Sequence, residues 1–453
     1  MDTGFQLIFD TIESAKDTIL AAEKYIWENP EPGYREWKTN AYLKAEYEKL
    51  GYKLTEAGDI PGFYTEIDTG RPGPTVAVFG ELDSLIIPTH PEADKKTGAV
   101  HACGHNCQSA ALLGVAIALK APHALDGMCG KIRLIAVPAE EGIERDFRET
   151  LIAKGTIKYV TGKPEFMRRG YLNGVDMAFM VHTTPDEDYK FGCIKGSNGS
   201  VRKRCTFIGK SAHAGAAPHL GINALYAATN AMSIANALRE TFEEKDRIRF
   251  HPIITHGGSA VNAIPDSVTV ESYLRGATPD GMKAANEKVN RAFACAAAAM
   301  GCKLVLDDIH GTYPRYNDPN IQDALKEAAA MVFGEENLKF DDSWSSGCSD
   351  LGDVCTVIPA CHPVCAGVSG HAHATDFRMK DPYTACVQNA KVQAATLRVL
   401  LQNDAAAAKK VIAEKHTVFD SFEEYCKAVD NTKLNINAVT YEDDGTVKIQ
   451  YKN

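Results

Sequence analysis

His101-Ala102-Cys103-Gly104-His105-Asn106 packs a thiol and two imidazoles into five residues, with a glycine that lets the backbone turn tightly. Such donors pack a hydrophobic core poorly and grip a divalent metal well. Other segments bring an acid or an imidazole just after an apolar run. They are Gly80-Glu81-Leu82-Asp83, Pro138-Ala139-Glu140-Glu141-Gly142 and His182. Far downstream lies Gly370-His371-Ala372-His373-Ala374-Thr375-Asp376-Phe377. Thiolate, imidazole and carboxylate are thus present in numbers that suit two divalent ions and a bridging water, the makings of metal-assisted hydrolysis. Consecutive glutamates in a turn point different ways, so one of the Glu140-Glu141 pair can bind metal while its neighbour faces the water as general base.

Each piece alone has a plainer reading. A Glu-Glu pair is usually a solvated turn, and a lone histidine after a strand is usually a hydrogen-bonded structural residue. Cys-x-His could be a buried thiol beside a capping histidine. Cys107 and Cys129 read as buried thiols, and Asn106 as the N-cap of a helix over 107–120. The coincidence of four such loops at strand ends favours the metal site, because ligands of open α/β sheets bind outside the carboxyl ends of the strands.

Those strands are Thr75-Val76-Ala77-Val78-Phe79, Ile132 to Val137 and Met177 to Val181, alternating with helices as in a mostly parallel sheet. An amphipathic helix is predicted over 5–28 and a second over 36–50, stopped by Gly51. From about Phe191 the pattern becomes strand 202–208, helix 223–241, strands 249–256 and 267–276, helix 279–300 and strand 302–308. That β-α-β-β-α-β order fits an inserted ferredoxin-like domain. The expected division is a catalytic domain of 1–190 and 313–405, an insert of 191–312, and a polar extension, 406–453, with no assignable role. The charged segment 144–169 reads first as a solvated surface helix and otherwise as part of a pocket wall.

At 453 residues the chain is too long for one core. A formal net charge of -10 argues against nucleic acid or anionic membrane as partner. No apolar run spans a bilayer, and no signal peptide is visible at the N-terminus. The 13 scattered cysteines read as reduced thiols of a cytoplasmic protein.

Together the motifs resemble the aminoacylase and carboxypeptidase G type of metallopeptidases, in the amidohydrolase branch that includes indoleacetyl-amino acid hydrolases and p-aminobenzoyl-glutamate hydrolase. The resemblance rests on Gly80 to Asp83, His101 to Asn106 and Ser349-Asp350-Leu351-Gly352-Asp353-Val354. Asn29-Pro30-Glu31, Ser211-Ala212-His213-Ala214 with Pro218-His219, and Gly257-Gly258 leading to Asn262-Ala263-Ile264-Pro265-Asp266 add to it. It implies a zinc-exopeptidase-like α/β/α domain with an inserted ferredoxin-like α+β lid that makes a homodimer. It implies metal ligands Cys103, His105, Glu141, His182 and one C-terminal histidine. His373 is preferred over His371, because His-Ala-Thr-Asp-Phe mirrors the family's run. Glu140 matches the general base and Asp83 the acid that orients a ligand. His213 matches a lid histidine reaching the partner's site, and Asn262 and Arg275 match substrate contacts. The implied cofactor is two divalent ions per subunit, zinc first, with manganese, cobalt or nickel also suited to the donors. The implied substrate is a small N-acyl amino acid, a p-aminobenzoyl-glutamate-like compound or a dipeptide.

Two other classes compete. A catalytically silent dimeric binding protein on the same scaffold would not need Glu140, Asp83 and a full ligand set. A thiol redox enzyme using Cys103 would call for a Cys-x-x-Cys pair, which the sequence lacks.

Overall fold

The computed structural model of the protein describes residues 3–185 and 188–452. The chain forms two compact units. One comprises Met1–Gly196, Tyr316–Ser343 and Asp353–Phe422; the other Ser197–Arg315, Trp344–Gly352 and Glu423–Asn453.

The first unit is built on strands β1 (Thr75–Glu81), β2 (Lys131–Val137) and β3 (Met177–Phe179), with helices α1 (His105–Leu119), α2 (Arg145–Ala153) and α3 (Gly162–Arg168). Its six-stranded sheet runs Thr55–Glu56, Phe63–Asp68, β2, β1, β3, Ala360–Cys361. The last four are parallel and the first two antiparallel additions at one edge. Strand β1 is buried at every residue, as a central parallel strand covered on both faces must be. Helix α1 is likewise buried on nearly all sides, the mark of a core helix. Because β1, β2 and β3 are parallel, the loops after them leave from one sheet edge.

Local details depart from the expected elements. The helix predicted over 5–28 is two, Thr3–Ser14 and Lys16–Glu28. Ser14 Oγ bonds back to the Asp10 carbonyl at 2.8 Å, a competition with the helical ladder that bends helices. Helix α1 starts two residues earlier than predicted. Its N-cap is Gly104 at φ 88°, and Asn106 lies inside it, donating its amide to Glu23 Oε1 at 2.8 Å. A Cβ at Gly104 would sit 2.2 Å from Thr183 Oγ1, so both the left-handed backbone and the close approach require glycine.

The second unit consists of β4 (Gly199–Ile208), α4 (Ala224–Ala237), β5 (Arg249–His256), β6 (Ser267–Gly276), α5 (Pro279–Ala299) and β7 (Lys303–Thr312), followed at the C-terminus by β8 (Leu434–Tyr441) and β9 (Val447–Ile449). Burial alternates along β6, as it does when one face of an antiparallel sheet packs on helices. Asn223 caps α4 by accepting from the backbone of Leu225 and Tyr226. The sheet order is β5-β6-β4-β7-β8-β9. The polar extension is therefore not a separate piece. From Glu423 it belongs to this unit, where β8 pairs with β7 and buries Leu434, Ala438 and Val439. It protects an edge that an isolated ferredoxin-like unit would leave open.

Candidate metal centre

The loop after β1 carries Asp83, that after β2 carries Glu140 and Glu141, and His182 lies three residues after the end of β3. Cys103 and His105 stand at the start of α1. Asp83, fully buried, ties these loops together. Its Oδ2 accepts from the Glu141 backbone at 2.9 Å, and its Oδ1 lies 3.1 Å from His105 Nδ1. The same ring nitrogen faces the Asp83 carbonyl at 2.9 Å, and a carbonyl only accepts, so Nδ1 carries the proton. That leaves His105 Nε2 as the ring nitrogen for another partner. It is buried and makes no hydrogen bond.

Among the described residues of the first unit, three sets of donors come within 4.8 Å of one another: Cys103, His105 and His182; Cys103, Glu141 and His373; and His105, Glu140 and Glu141. The first two share Cys103. Cys103 Sγ is 3.3 Å from His182 Nε2, whose ring is oriented by an Nδ1 bond of 2.9 Å to the Thr183 carbonyl. His373 Nε2 is 3.0 Å from Glu141 Oε1. His373 holds a left-handed backbone, φ 65°, and its N–H donates to the Ala102 carbonyl at 2.9 Å. Such backbone strain in a non-glycine residue is typical of functional loops. His371 goes elsewhere: it is exposed and pairs with Asp376 at 2.9 Å. His101 is buried beside the cluster, belongs to none of these sets, and is held down to about 3, chiefly by burial.

The charges answer one another. Burial, with Glu141, pushes the Cys103 thiol up, but the His182 and His105 imidazoles together override it and leave the thiol at about 6. Burial likewise opposes the Glu141 carboxylate, yet the bond and charge of His373, with His105 and Cys103, bring it down to about 2. Burial would lower His373, and Cys103 and Glu141 together raise it to about 11. The metal-free cluster therefore balances thiolate and carboxylate with imidazolium protons. These are the protons that a divalent ion displaces when it binds such donors. The residues thus fit a metal pair in donor type, in the buried His105 Nε2 that makes no hydrogen bond and in the shared thiolate.

The segment 144–169 differs from its first reading as a solvated helix. Residues 159–167 are buried throughout. Arg148, almost fully enclosed, donates to the carbonyls of Glu141 and Val160. Lys163 pairs with Glu81 in the interior. Glu36 is a further buried acid here, accepting from the Ala139 N–H at 2.8 Å and raised well above the usual carboxylate range by burial and by Asp83. Sequence reasoning did not find Glu36, Arg148 or Lys163, and no local pattern marks them.

The remaining candidates lie in the second unit. His213 is exposed, and its Nδ1 accepts from the N–H groups of Gly215 and Ala216 at 3.2 and 3.1 Å. Its neutral ring therefore presents Nε2–H outward as a donor. Asn262 is exposed. Arg275 is partly exposed, lies 5.7 Å from the Tyr273 ring centre and donates to the Ser346 carbonyl at 3.3 Å.

Comparison with known proteins agrees with this arrangement. An N-acetyl-L-cysteine deacetylase of Bacillus subtilis is 28% identical over 333 residues, covering 70% of this chain and 73% of the relative. An IAA-amino acid hydrolase of Arabidopsis thaliana is 26% identical over 334 residues, covering 71% and 72%. Among solved structures, the fold matches an aminobenzoyl-glutamate utilization protein from Klebsiella pneumoniae with a TM-score of 0.64 at 20% identity, over 86% of this chain and 96% of that one. It matches a dinuclear metal binding peptidase of Bacillus subtilis with a TM-score of 0.65 at 22% identity, over 86% and 99%. The sequence pattern of peptidase family M20/M25/M40 matches residues 75–399, which include the strands β1 to β3 and every donor from Asp83 to His373. The chain belongs to the peptidase family M20/M25/M40.

Proposed function

We propose that the protein hydrolyses the amide bond of a small N-acyl amino acid, a p-aminobenzoyl-glutamate-like compound or a dipeptide at a site holding two divalent ions. The observation that carries this reading is the pair of donor sets sharing Cys103, with Glu140 beside Glu141 at the third. The names of the relatives, a deacetylase and an amino acid hydrolase, support the substrate class. In this reading Cys103, His105, Glu141, His182 and His373 hold the ions, zinc in the first place and manganese, cobalt or nickel otherwise. When bound, the ions polarise the scissile carbonyl and make water acidic enough to be deprotonated near neutral pH. Asp83 keeps the His105 ring in the tautomer that offers Nε2. Glu140 takes the proton of the attacking water and returns it to the leaving amine. Asn262 and Arg275 receive the free end of the substrate, guanidinium being matched to carboxylate. All 13 cysteines are free thiols, which suits a reducing cytoplasm.

The test is a panel of acyl-amino acids and dipeptides under defined metal loading. Release of the free amino acid is expected with metal and not after chelation. A protein that takes up metal and binds panel members without turning any over would be the silent binding protein instead.

The proposal includes a homodimer in which His213 donates its Nε2–H to the oxyanion in the partner subunit's site. His213→Ala is expected to lower kcat with metal content unchanged. Mixing it with Glu140→Gln under conditions of subunit exchange should restore part of the activity, since one hybrid site then has both groups. No recovery after verified exchange would confine His213 to its own chain or remove it from catalysis.

A further inference from the structure

Lys163 and Glu81 form an ion pair of 2.5 Å, with 0% and 1% of their side chains exposed. An ammonium group is costly to bury, and a pairing partner offsets that cost only in good geometry. Here the geometry ties the metal-facing loops to each other. Glu81 is the last residue of β1. Its Oε1 takes Lys163 Nζ; its Oε2 accepts from Gln108 Nε2 at 2.8 Å and stands 3.1 Å from His105 Nε2, the buried ring nitrogen that makes no hydrogen bond. Its backbone carbonyl accepts from Ser109 Oγ at 2.6 Å. With Asp83 on the Nδ1 side, the first turn of α1 is thus gripped from both sides of the His105 ring. Lys163 enters from α3, whose start is fixed to the other loop. Gly162 N–H donates to the Ala139 carbonyl at 3.1 Å, in the turn that carries Glu140 and Glu141. A Cβ at Gly162 would lie 1.7 Å from the Pro138 carbonyl oxygen, so the backbones touch there.

We propose that Lys163 is a positioning residue for the metal centre, bracing the Glu140-Glu141 turn against the end of β1 and acting through Glu81 on the cation position at His105. This rests on the metal-binding reading above. Glu81 Oε2 is shared between Gln108 and the His105 nitrogen available to a cation, so the pair with Lys163 sets where that carboxylate stands relative to the ring. Removing the ammonium releases Glu81 from its anchor and lets it move relative to that nitrogen. Loss of outer partners of metal ligands typically weakens metal binding by about 10- to 100-fold.

The experiment measures zinc affinity and stoichiometry by competition with a chelator, and the unfolding midpoint of the metal-free protein. It compares wild type, Lys163→Met, Lys163→Arg, Glu81→Gln and the Glu81→Gln/Lys163→Met double variant. Lys163→Met is expected to bind at least one of the two ions about tenfold more weakly or worse. Lys163→Arg should recover most of that loss. The double variant should bind no more weakly than Glu81→Gln, because Lys163 acts through Glu81. Wild type that binds no zinc would sink the metal-centre reading itself. Wild type that binds, with Lys163→Met binding equally well and only unfolding more easily, would overturn the positioning role alone. Additive losses in the double variant would also overturn it. If Lys163→Met does not fold, the near-isosteric Glu81→Gln decides: zinc affinity equal to wild type refutes the inference, and a tenfold loss sustains it.

Discussion

Glu140→Gln is expected to retain both metal ions and to lose kcat by about a hundredfold or more, the usual scale of a positioned general base. The amide is nearly the size and shape of the carboxylate, so packing in the turn is kept while the proton acceptor is gone. Glu141→Gln should behave the other way, with metal affinity falling first. Glu141 is held at several points: its carboxylate is 3.0 Å from His373, its N–H is held by Asp83 and its carbonyl by Arg148. On the proposed assignment those bonds serve a holder, and its neighbour Glu140 is the base. Metal content by elemental analysis, measured alongside kcat for both variants, checks the assignment. Metal loss in Glu140→Gln with a metal-replete, inactive Glu141→Gln would exchange the two roles.

The parts of the site that the sequence announces are those whose chemistry lies in short stretches. Cys103 and His105 share one turn, Glu140 and Glu141 another, and β1, β2 and β3 are apolar runs that end just before them. Periodicity and residue type suffice there. Lys163 and Arg148 escaped because their meaning lies in partners distant along the chain. A segment with so many charges looks solvated until Glu81, 82 residues away, supplies the counter-charge. The run His-Ala-Thr-Asp-Phe already favours His373 over His371, but the contacts of the two rings are not in the sequence. Only the left-handed turn at His373 shows which imidazole faces Glu141 and which pairs with Asp376. The C-terminal strand did leave a trace, since Leu434-Asn435-Ile436-Asn437-Ala438-Val439 alternates for its first residues. What was missing was its partner, the exposed edge of β7 more than a hundred residues earlier, which no local pattern names.

Cys103→Ala is expected to lose bound metal and activity together. Cys103 is the donor common to two of the three sets, so its removal takes a ligand from both. It also removes the negative charge that helps raise His182 and His373, and leaves both imidazoles with one counter-charge fewer. A thiol of ordinary acidity would be protonated at neutral pH and a poor ligand. This one, brought to about 6 by His182 and His105 together against the opposing effect of burial, is largely thiolate at pH 7 before any metal arrives. The metal-free protein should therefore show one thiol ionising near pH 6 in thiolate absorbance, absent from the difference spectrum of Cys103→Ala, with the buried Cys365 held high by burial. Metal binding should abolish that step, because a coordinated thiolate no longer takes up a proton in this range. A Cys103→Ala protein with full metal content would show that the thiol is no ligand. The charge pairing with His182 would then stand without a metal-binding role.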